Sequence, residues 1–365
     1  MLDHWLSPVR LSSLSSFETL EDRQVGKRIS IHLEEGFPDL KGIRAAIIGL
    51  GDAESHAVRE ELYQMTWAFD GIEIADIGDL RKDDPNFVIP VLHELIDAGV
   101  IPILIARDKR HLDTQYRSYI QKQNPFKMVL VDSNGGRLPS RSIRDNISYD
   151  ILNRASSPLS DFASLGHQAH LMDSEILKDL QHRSFSMMRL GDAQANIRET
   201  EPLIRDASAF CMSLSALRFS EAPGQLQNYP SGFYSEEACQ LCRYAGISDQ
   251  VSSMGIYGFV AGIDPTRVTA TMVAQLAWYF LEGVAQRKDE LPERLQSAQE
   301  YLVKISSLDQ NISFLHSQRT DRWWMRVRRL HDPDEPEVLI PCSPRDYQQA
   351  ARDQMPDRLF QFLSR

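Results

Sequence analysis

The segment FCMSLSALRFSEAPG, residues 210–224, has the frame of a metal-binding loop. It leads from an apolar, strand-like run into a Pro-Gly turn. Hard divalent cations are bound by carboxylate and imidazole groups, yet no such group stands in this segment before Glu221. Its polar side chains include Ser213, Ser215 and Arg218 instead. The segment therefore has the outline of a metal site without the donors that a metal ion needs.

Hydroxyl chemistry is the first alternative for Ser213 and Ser215. A serine nucleophile needs a base beside it, and no histidine lies near these two residues in the sequence. The chain also has no G-x-S-x-G turn of the kind that presents a nucleophilic serine. The sequence does not favour a serine hydrolase.

A metal site built from other residues is a second alternative. His111 and Asp113 lie two positions apart, and His167 and His170 form a second group, while Glu221 follows the serine-containing segment. Residues three apart on a strand face opposite sides, so His167 and His170 could share an ion only if they lie in a loop. This alternative stays open at the level of sequence.

Basic residues suggest an anionic small ligand as a third hypothesis. The turn SNGG, residues 133–136, could direct backbone N–H groups at an anion. The cationic side chains that would lie nearby are Arg107, Lys109, Arg137 and Arg218.

Charge and hydropathy limit the partners of the whole chain. It has 40 basic and 51 acidic residues, a net charge of −11, which argues against binding nucleic acid or an anionic membrane. No run approaches the roughly 20 apolar residues of a membrane span. The first residues, MLDHWLSPVRLSS, lack the apolar region of a signal peptide. We therefore expect a cytoplasmic protein.

Alternating strand and helix patterns must position these residues. Apolar runs such as IPILIA, residues 101–106, and FKMVLVD, residues 126–132, alternate with amphipathic helical segments. This alternation predicts an α/β fold with a central, mainly parallel, doubly wound sheet between two helical layers, over residues 41–287. Function in such sheets gathers at the carboxyl ends of the strands. Residues 1–40 read as an irregular, partly helical lead-in.

Residues 288–365 are predicted to form a C-terminal extension. The strand candidates RWWMRVRRL and VLIPCS flank the acidic turn HDPDEPE and indicate a hairpin, followed by a helix with Ser343 as N-cap and Pro344 as its first residue. Trp323, Trp324 and Met325 could anchor a protein partner, or they could pack within the chain.

Three segments of the chain resemble the ureohydrolases, the family of arginase, agmatinase and formimidoylglutamase. AFCMSLSALRFSEAPG, with YPSGFYSEEA after it, is similar to the family's S-F-D-x-D-x-x-D-P…APG…PGG region. IPILIARDKRHLD stands where the family has a strand followed by G-G-D-H-S, and VLVDSNGG where it has V-D-A-H-x-D. The resemblance covers roughly residues 40–285. It implies a three-layer α/β/α arginase-like fold and, as is common among these enzymes, a homo-oligomer.

The resemblance also implies a reaction and a set of ligands. In the family, two Mn²⁺ ions share carboxylates and activate a hydroxide that attacks a guanidinium or formimino carbon. Six ligands hold the ions, and of these the present chain keeps only Asp132. The other ligand positions are occupied by Lys109, Asn134, Gly136, Ser213 and Ser215. Two neighbouring family positions, a glycine and an aspartate, are Arg107 and Arg218, and the acid that would bind a substrate guanidinium is replaced by Tyr229.

These substitutions bring positive charge to the position of two lost cations. We therefore hypothesise that Lys109 or Arg218 pairs with Asp132 and balances its charge, although all three side chains could instead point to solvent. The expected function is that of a non-catalytic binding or scaffolding protein with no metal cofactor, with a possible protein partner at the C-terminal extension. The alternative is a divergent metal-dependent hydrolase of linear amidines.

Overall fold

A mainly parallel sheet forms the centre of the computed structural model, which describes residues 2–120, 124–138, 146–154, 157–290, 295, 298–308, 311–328 and 337–364. The strands are β1 Leu6–Ser7, β2 Ser30–Ile31, β3 Ile43–Leu50, β4 Glu73–Leu80, β5 Ile101–Ala106, β6 Phe126–Val131, β7 Leu159–His167, β8 Ser186–Arg189, β9 Ala209–Ser213 and β10 Ser253–Tyr257. Within the described residues the strand order of this sheet is β1-β4-β3-β5-β10-β9-β6-β7-β8, with β2 also paired to β4.

Helices cover both faces of this sheet, as the near-continuous apolar strands require. Along β5, Ile103 and Ile105 face one layer and Leu104 faces the other. The layer on the Ile103 side contains α2, α9 and α10, and the opposite layer contains α3 to α6. The helices are α1 Val25–Arg28, α2 Asp52–Leu62, α3 Pro85–Asp97, α4 His111–Ile120, α5 Ile147–Leu152, α6 Ser174–His182, α7 Leu190–Ala195, α8 Glu201–Arg205, α9 Ser235–Ile247 and α10 Val268–Ala285.

The predicted three-layer, doubly wound α/β/α fold is thus confirmed, and some boundaries differ. The segment FSMMRLGD, residues 185–192, has a strand-like apolar pattern but leaves the sheet after Arg189 and continues as α7. The run AFCMSLSAL ends its strand at Ser213 and enters a 3-10 turn, Leu214–Ala216. In both cases the apolar pattern of the sequence extends beyond the last residue that pairs with a neighbouring strand.

The lead-in, residues 1–40, takes part in the sheet more than its sequence suggests. Its strand β1 pairs antiparallel with the carboxyl end of β4, and β2 pairs parallel with the middle of β4. These short strands cover the backbone N–H and C=O groups along the edge of β4, which would otherwise be unpaired. A strand of only two residues is too short to show the alternation of apolar and polar residues by which a strand is recognised in a sequence.

The C-terminal extension contains, within residues 298–308, 311–328 and 337–364, a four-stranded antiparallel sheet and two helices. The predicted hairpin is present as the antiparallel pairing of Trp323–Val327 with Val338–Cys342; most of its acidic turn, residues 331–336, lies outside the described residues. Ser343 caps the following helix as predicted, in a reciprocal pair of hydrogen bonds with Asp346. Two strands before the hairpin were not predicted. The elements are β11 Gln299–Lys304, β12 Asn311–His316, β13 Trp323–Val327, β14 Val338–Cys342, α11 Pro344–Ala351 and α12 Asp357–Leu363.

The aromatic residues of this extension pack within the chain. Trp323, Trp324 and Met325 are 8%, 1% and 0% exposed. Trp323 stacks against Tyr301 and Tyr347 in the extension. Of the two possibilities open for these side chains, intramolecular packing is the one realised, and they offer no exposed anchor to a partner.

The length and apolar character of the helices bear on the prediction that no run of the chain is long enough for a membrane span. Within the described residues, no helix combines the length and the apolar character needed to cross a membrane.

Candidate functional site

A cavity of about 400 Å³ lies at the carboxyl ends of β5, β9 and β10, the edge where such sheets bind ligands. Its walls come from the loops after these strands and from the loop that follows β4. The lining residues are Asp83, Arg107, Asp108, Lys109, Ser213, Ser215, Gln225, Leu226, Gln227 and Gly258.

Asp132 follows β6 directly and lies at the base of this region, fully buried. Its carboxylate accepts hydrogen bonds from the backbone N–H groups of Asn134 at 2.7 Å and Gly136 at 3.1 Å. The turn that aims these groups places Gly135 and Gly136 at φ values of +66° and +81°. Glycine occupies this left-handed region without a steric penalty, so the S-N-G-G turn can wrap around the carboxylate.

Lys109 brings its ammonium to the same point from the loop after β5. Its Nζ lies 2.7 Å from Oδ2 of Asp132 and donates to Oγ of Ser215 at 3.0 Å and Oε1 of Gln227 at 2.9 Å. Longer contacts of 3.4 Å reach Oδ1 of Asn134 and the carbonyl oxygen of Arg137. The Lys109 side chain is only 5% exposed. Within the described part of the chain, the ammonium is thus surrounded by five oxygen atoms from two loops, those that follow β6 and β9.

The charge balance at this point favours an ionised Asp132. Burial alone would raise the pKa of the carboxyl, but the adjacent Lys109 ammonium and the hydrogen bonds to the carboxylate outweigh it and hold the pKa below its usual value. The hydroxyl of Ser215 also donates to Oδ2 of Asp132, at 3.0 Å. The geometry is that of a buried, fully hydrogen-bonded ion pair.

The structure brings most of the predicted site residues together. Lys109, Asp132, Asn134 and Ser215 meet at the Lys109 ammonium, and Ser213 joins them through its hydroxyl, 3.0 Å from that of Ser215. Gly136 contributes its backbone N–H to Asp132. Tyr229 lies at the margin, where its Oη accepts from Nδ2 of Asn134 at 3.4 Å. Arg107 lines the cavity and is exposed.

Arg218 is the predicted residue that lies elsewhere. Its guanidinium stacks on the ring of Tyr234, 3.8 Å from the centroid, and donates to the carbonyl oxygen of Gly232 at 3.2 Å. The hypothesis left open whether Lys109 or Arg218 neutralises Asp132, and the structure places Lys109 there.

The alternative metal ligands have separate partners. His111 contacts Asp83, with Nε2 2.6 Å from Oδ1, and Asp113 pairs with Arg154 at 2.7 Å. Glu221 binds the backbone and hydroxyl of Ser235. His167 ends β7 and is buried, whereas His170 lies exposed beyond the strand. Among the described residues, no group of three or more His, Cys, Asp or Glu side chains could hold a metal ion.

Two glutamines were missed by the sequence reading. Gln227 accepts from the Lys109 ammonium, and Gln225 lies in the cavity wall, 2% exposed. Both lie between the two quoted stretches, in APGQLQNYP, residues 222–230, but glutamine is common on surfaces and its amide carries no charge. That the two glutamines belong to the site follows only from the path of this loop over the cavity in the folded protein.

Comparison with known proteins identifies the fold. No protein-family model matches the chain, and no curated protein matches it. Solved structures do match: a formiminoglutamase of Trypanosoma cruzi with Mn²⁺ has a TM-score of 0.58 at 16% identity, over 68% of this chain and 96% of that one. A hypothetical agmatinase of Burkholderia thailandensis has a TM-score of 0.58 at 14% identity, over 70% and 90% of the two chains.

An arginase of Bacillus cereus matches as well, with a TM-score of 0.52 at 16% identity, over 66% of this chain and 98% of that one. The chain therefore has the arginase-like α/β fold that these three proteins share, as its resemblance to the ureohydrolases implied. Identities this low establish the fold and leave the activity to the residues of the site.

Proposed function

We propose that this protein is a non-catalytic binding protein on the ureohydrolase fold, in which the Lys109 ammonium replaces the metal ions as the counter-charge of Asp132. The contact of 2.7 Å between Nζ of Lys109 and Oδ2 of Asp132 carries the proposal. Both side chains are buried, so the pair is shielded from water and fixed in place.

The donor chemistry at this point supports the proposal. Mn²⁺ ions are bound by carboxylate and imidazole groups, whereas the groups that meet here are one carboxylate, two serine hydroxyls and neutral amide-type oxygens around an ammonium. A metal ion beside Asp132 would have to displace that ammonium from its five oxygen contacts. Like charges a few ångströms apart in a buried site repel strongly. The residues present do not fit two manganese ions.

Metal content is the experiment that tests this proposal. The protein is purified without chelators and measured by inductively coupled plasma mass spectrometry, before and after incubation with excess Mn²⁺ and gel filtration. We expect far less than one Mn²⁺, Ni²⁺, Fe²⁺ or Zn²⁺ per chain. One or two ions per chain, with release of urea, ammonia or formamide from guanidino or formimino compounds, would establish the hydrolase alternative instead.

A matched variant tests whether the measurement of metal content can detect a metal site beside Asp132. The triple change Lys109→His, Ser213→Asp and Ser215→Asp removes the ammonium and adds an imidazole and two carboxylates beside Asp132. It should retain Mn²⁺ through gel filtration under conditions where the wild-type protein retains none. Equal retention by the two proteins would mean that Asp132 is not at a potential metal position.

The proposed assembly is a homo-oligomer, on the resemblance to ureohydrolases alone. Light scattering coupled to gel filtration measures it directly, and a mass close to the 41.6 kDa of one chain would refute it.

A further inference from the structure

Strand β11, Gln299–Lys304, is an open edge of the sheet in the C-terminal extension. Within the described residues it pairs only with β12, antiparallel over six residues and without a bulge. Its other side therefore presents backbone N–H and C=O groups that no strand of the described chain binds. Proteins commonly protect such an edge with a proline, a bulge or a covering segment, because an exposed edge pairs readily with another strand. β11 contains neither a proline nor a bulge.

The side chains of β11 divide between the two faces of the strand, as the alternation of a strand requires. Tyr301 and Val303 are partly buried and pack against the apolar core of the extension. Leu302 lies on the opposite face and is 72% exposed, which makes it the most exposed large hydrophobic side chain in the described part of the chain. Glu300 and Lys304 flank it on the same exposed face. This leucine is thus open to water between one acid and one base.

The order of these side chains is complementary to itself when two copies of the strand run antiparallel. A two-fold axis through Leu302 brings this residue opposite its own counterpart. Glu300 then lies opposite Lys304 of the partner, and Tyr301 lies opposite Val303 of the partner. Opposite-charge pairs and aromatic–β-branched pairs on facing strands are both stabilising. An axis through Tyr301 or Val303 would instead place Leu302 opposite a charged side chain.

The two charged side chains of this edge have capacity for a further partner. Among the described residues Lys304 makes no ion pair. Glu300 binds Arg326 through Oε1 at 2.8 Å, which leaves its Oε2 for a second cation. Charged side chains on an edge usually oppose pairing with other strands. Here they disfavour the shifted registers and favour the one centred on Leu302, so they select a second copy of this strand as the partner.

We propose that this protein forms a two-fold dimer in which the β11 strands of two copies pair antiparallel about Leu302. The pairing joins the two four-stranded sheets of the extensions into one continuous sheet. The inference rests on the homo-oligomer of the proposed function and names its interface. Pairing over six residues buries less area than a standard protein interface, so the dimer dissociates on dilution.

Sedimentation velocity of the full chain over a wide range of concentrations measures the association. We expect a monomer–dimer equilibrium whose dissociation constant rises at least about tenfold in Leu302→Lys, because two ammonium groups then face each other across the axis. Phe360→Lys is the matched control, since Phe360 is 62% exposed on α12 of the same extension, and it should leave the equilibrium unchanged. A chain that stays monomeric at every concentration, or equal effects of the two changes, would overturn the proposal.

Cysteine cross-linking tests the register. The four native cysteines are buried, so a cysteine added on the exposed face of β11 is the one that reacts under mild oxidation. Leu302→Cys should form a disulfide-linked dimer, because residues directly opposite on facing strands bring their Cβ atoms within about 5.5 Å of each other. Lys304→Cys alone should not, since residue 304 then lies about 14 Å along the strand from its own counterpart.

A mixture of two variants completes this test. Glu300→Cys and Lys304→Cys proteins should cross-link with each other, because the proposed register places these two positions opposite one another. Failure of Leu302→Cys to cross-link, or a link formed by Lys304→Cys alone, would contradict the pairing about Leu302.

The outcome is separable from that of the proposed function. A protein that is monomeric at every concentration refutes both the homo-oligomer and this interface. An oligomer that is indifferent to Leu302→Lys keeps the homo-oligomer and refutes the interface. Neither result changes the metal content, which is measured on separate protein and tests the non-catalytic function.

Discussion

The ammonium of Lys109 and the carboxylate of Asp132 meet at 2.7 Å although their strands, β5 and β6, are separated in the sheet by β10 and β9. The loops that follow β5 and β6 therefore reach toward each other across the carboxyl ends of both intervening strands. An ion pair in this position closes the base of the crevice in which an α/β sheet binds its ligands. We expect it to contribute both to stability and to the choice of ligand.

Replacement of Lys109 by methionine should destabilise the fold. The change leaves the Asp132 carboxylate buried without its counter-charge, which costs about 3–5 kcal/mol when one partner of a buried pair is removed. Lys127→Met serves as the control, because Lys127 pairs with Asp206 at 3.0 Å but is 39% exposed, and exposed pairs contribute about 0–1 kcal/mol. Urea denaturation measures both free energies of unfolding, and equal losses in the two variants would contradict a special role of the buried pair.

A double variant separates charge from packing at the same point. Lys109→Met combined with Asp132→Asn leaves no buried charge, so it should be more stable than Lys109→Met alone by about 2 kcal/mol or more. If the double variant is the less stable of the two, the loss in Lys109→Met comes from packing and hydrogen bonds of the lysine.

Replacement of Gln225 by methionine should stabilise the ligand-free protein by about 1 kcal/mol, because it removes a buried amide that has no hydrogen-bond partner in the part of the chain that the structure describes. Gln115→Met is the matched control, since Gln115 is 1% exposed, donates to Oγ of Ser253 at 2.7 Å and accepts from the hydroxyl of Tyr257. That change should cost about 1–3 kcal/mol. Thermal and urea unfolding measure the stability of both variants. A loss of stability in Gln225→Met as large as that in Gln115→Met would show that the Gln225 amide is hydrogen-bonded in the native protein.

Two buried histidines should make the protein sensitive to mild acid. Burial lowers the pKa of both His111 and His167 below 6.5; for His111 it outweighs the nearby Asp83 carboxylate, which is itself 60% exposed and screened by water. A lowered pKa means that the unfolded chain takes up protons first, so stability is full above pH 6.5 and falls as the pH decreases through the pKa of the folded state.

Histidine NMR titration checks this expectation directly, with assignment from His111→Asn and His167→Asn variants. Both rings should titrate below pH 6.5, and each variant should show a flatter loss of stability between pH 7 and 5 than the wild-type protein. A ring that titrates above 6.5 would mean that its carboxylate or backbone partners outweigh burial.

Arg205→Met should loosen the C-terminal extension from the α/β domain. The guanidinium of Arg205 donates to the carbonyl oxygen of Trp323 at 2.7 Å and lies 4.7 Å from the ring centre of Trp324. Loss of this charged hydrogen bond should cost about 1.5–3 kcal/mol and increase hydrogen exchange in β13. Arg326→Met, at a 36% exposed side chain of the same strand, is the control, and equal exchange in the two variants would contradict the role of Arg205.

Much of the fold could be predicted because its signals are local. Strand-like runs that alternate with amphipathic helices require a parallel sheet covered on both faces, and the carboxyl ends of those strands must then meet along one edge. The resemblance to the ureohydrolases then predicted that Lys109, Asp132 and Ser215 occupy one site at that edge. The short strands β1 and β2 escaped it, since two residues are too few to show a period and their pairing depends on where β4 leaves an open edge.

By itself, the sequence predicted the α/β architecture and the edge at which the site lies, because these depend on residue type and periodicity along the chain. Its resemblance to the ureohydrolases added that five of the six metal-ligand positions carry neither an acid nor a histidine, Asp132 being the exception. Only the tertiary structure decided that Lys109, not Arg218, neutralises Asp132, that Trp323 and Trp324 pack inward, and that the Gln225 amide has no hydrogen-bond partner among the described residues. The physical reason is that the direction of a loop side chain is set by contacts with segments distant in sequence. The Arg218 guanidinium packs on Tyr234, whereas the Lys109 ammonium contacts oxygen atoms from the loops after β6 and β9, which only the folded sheet brings together.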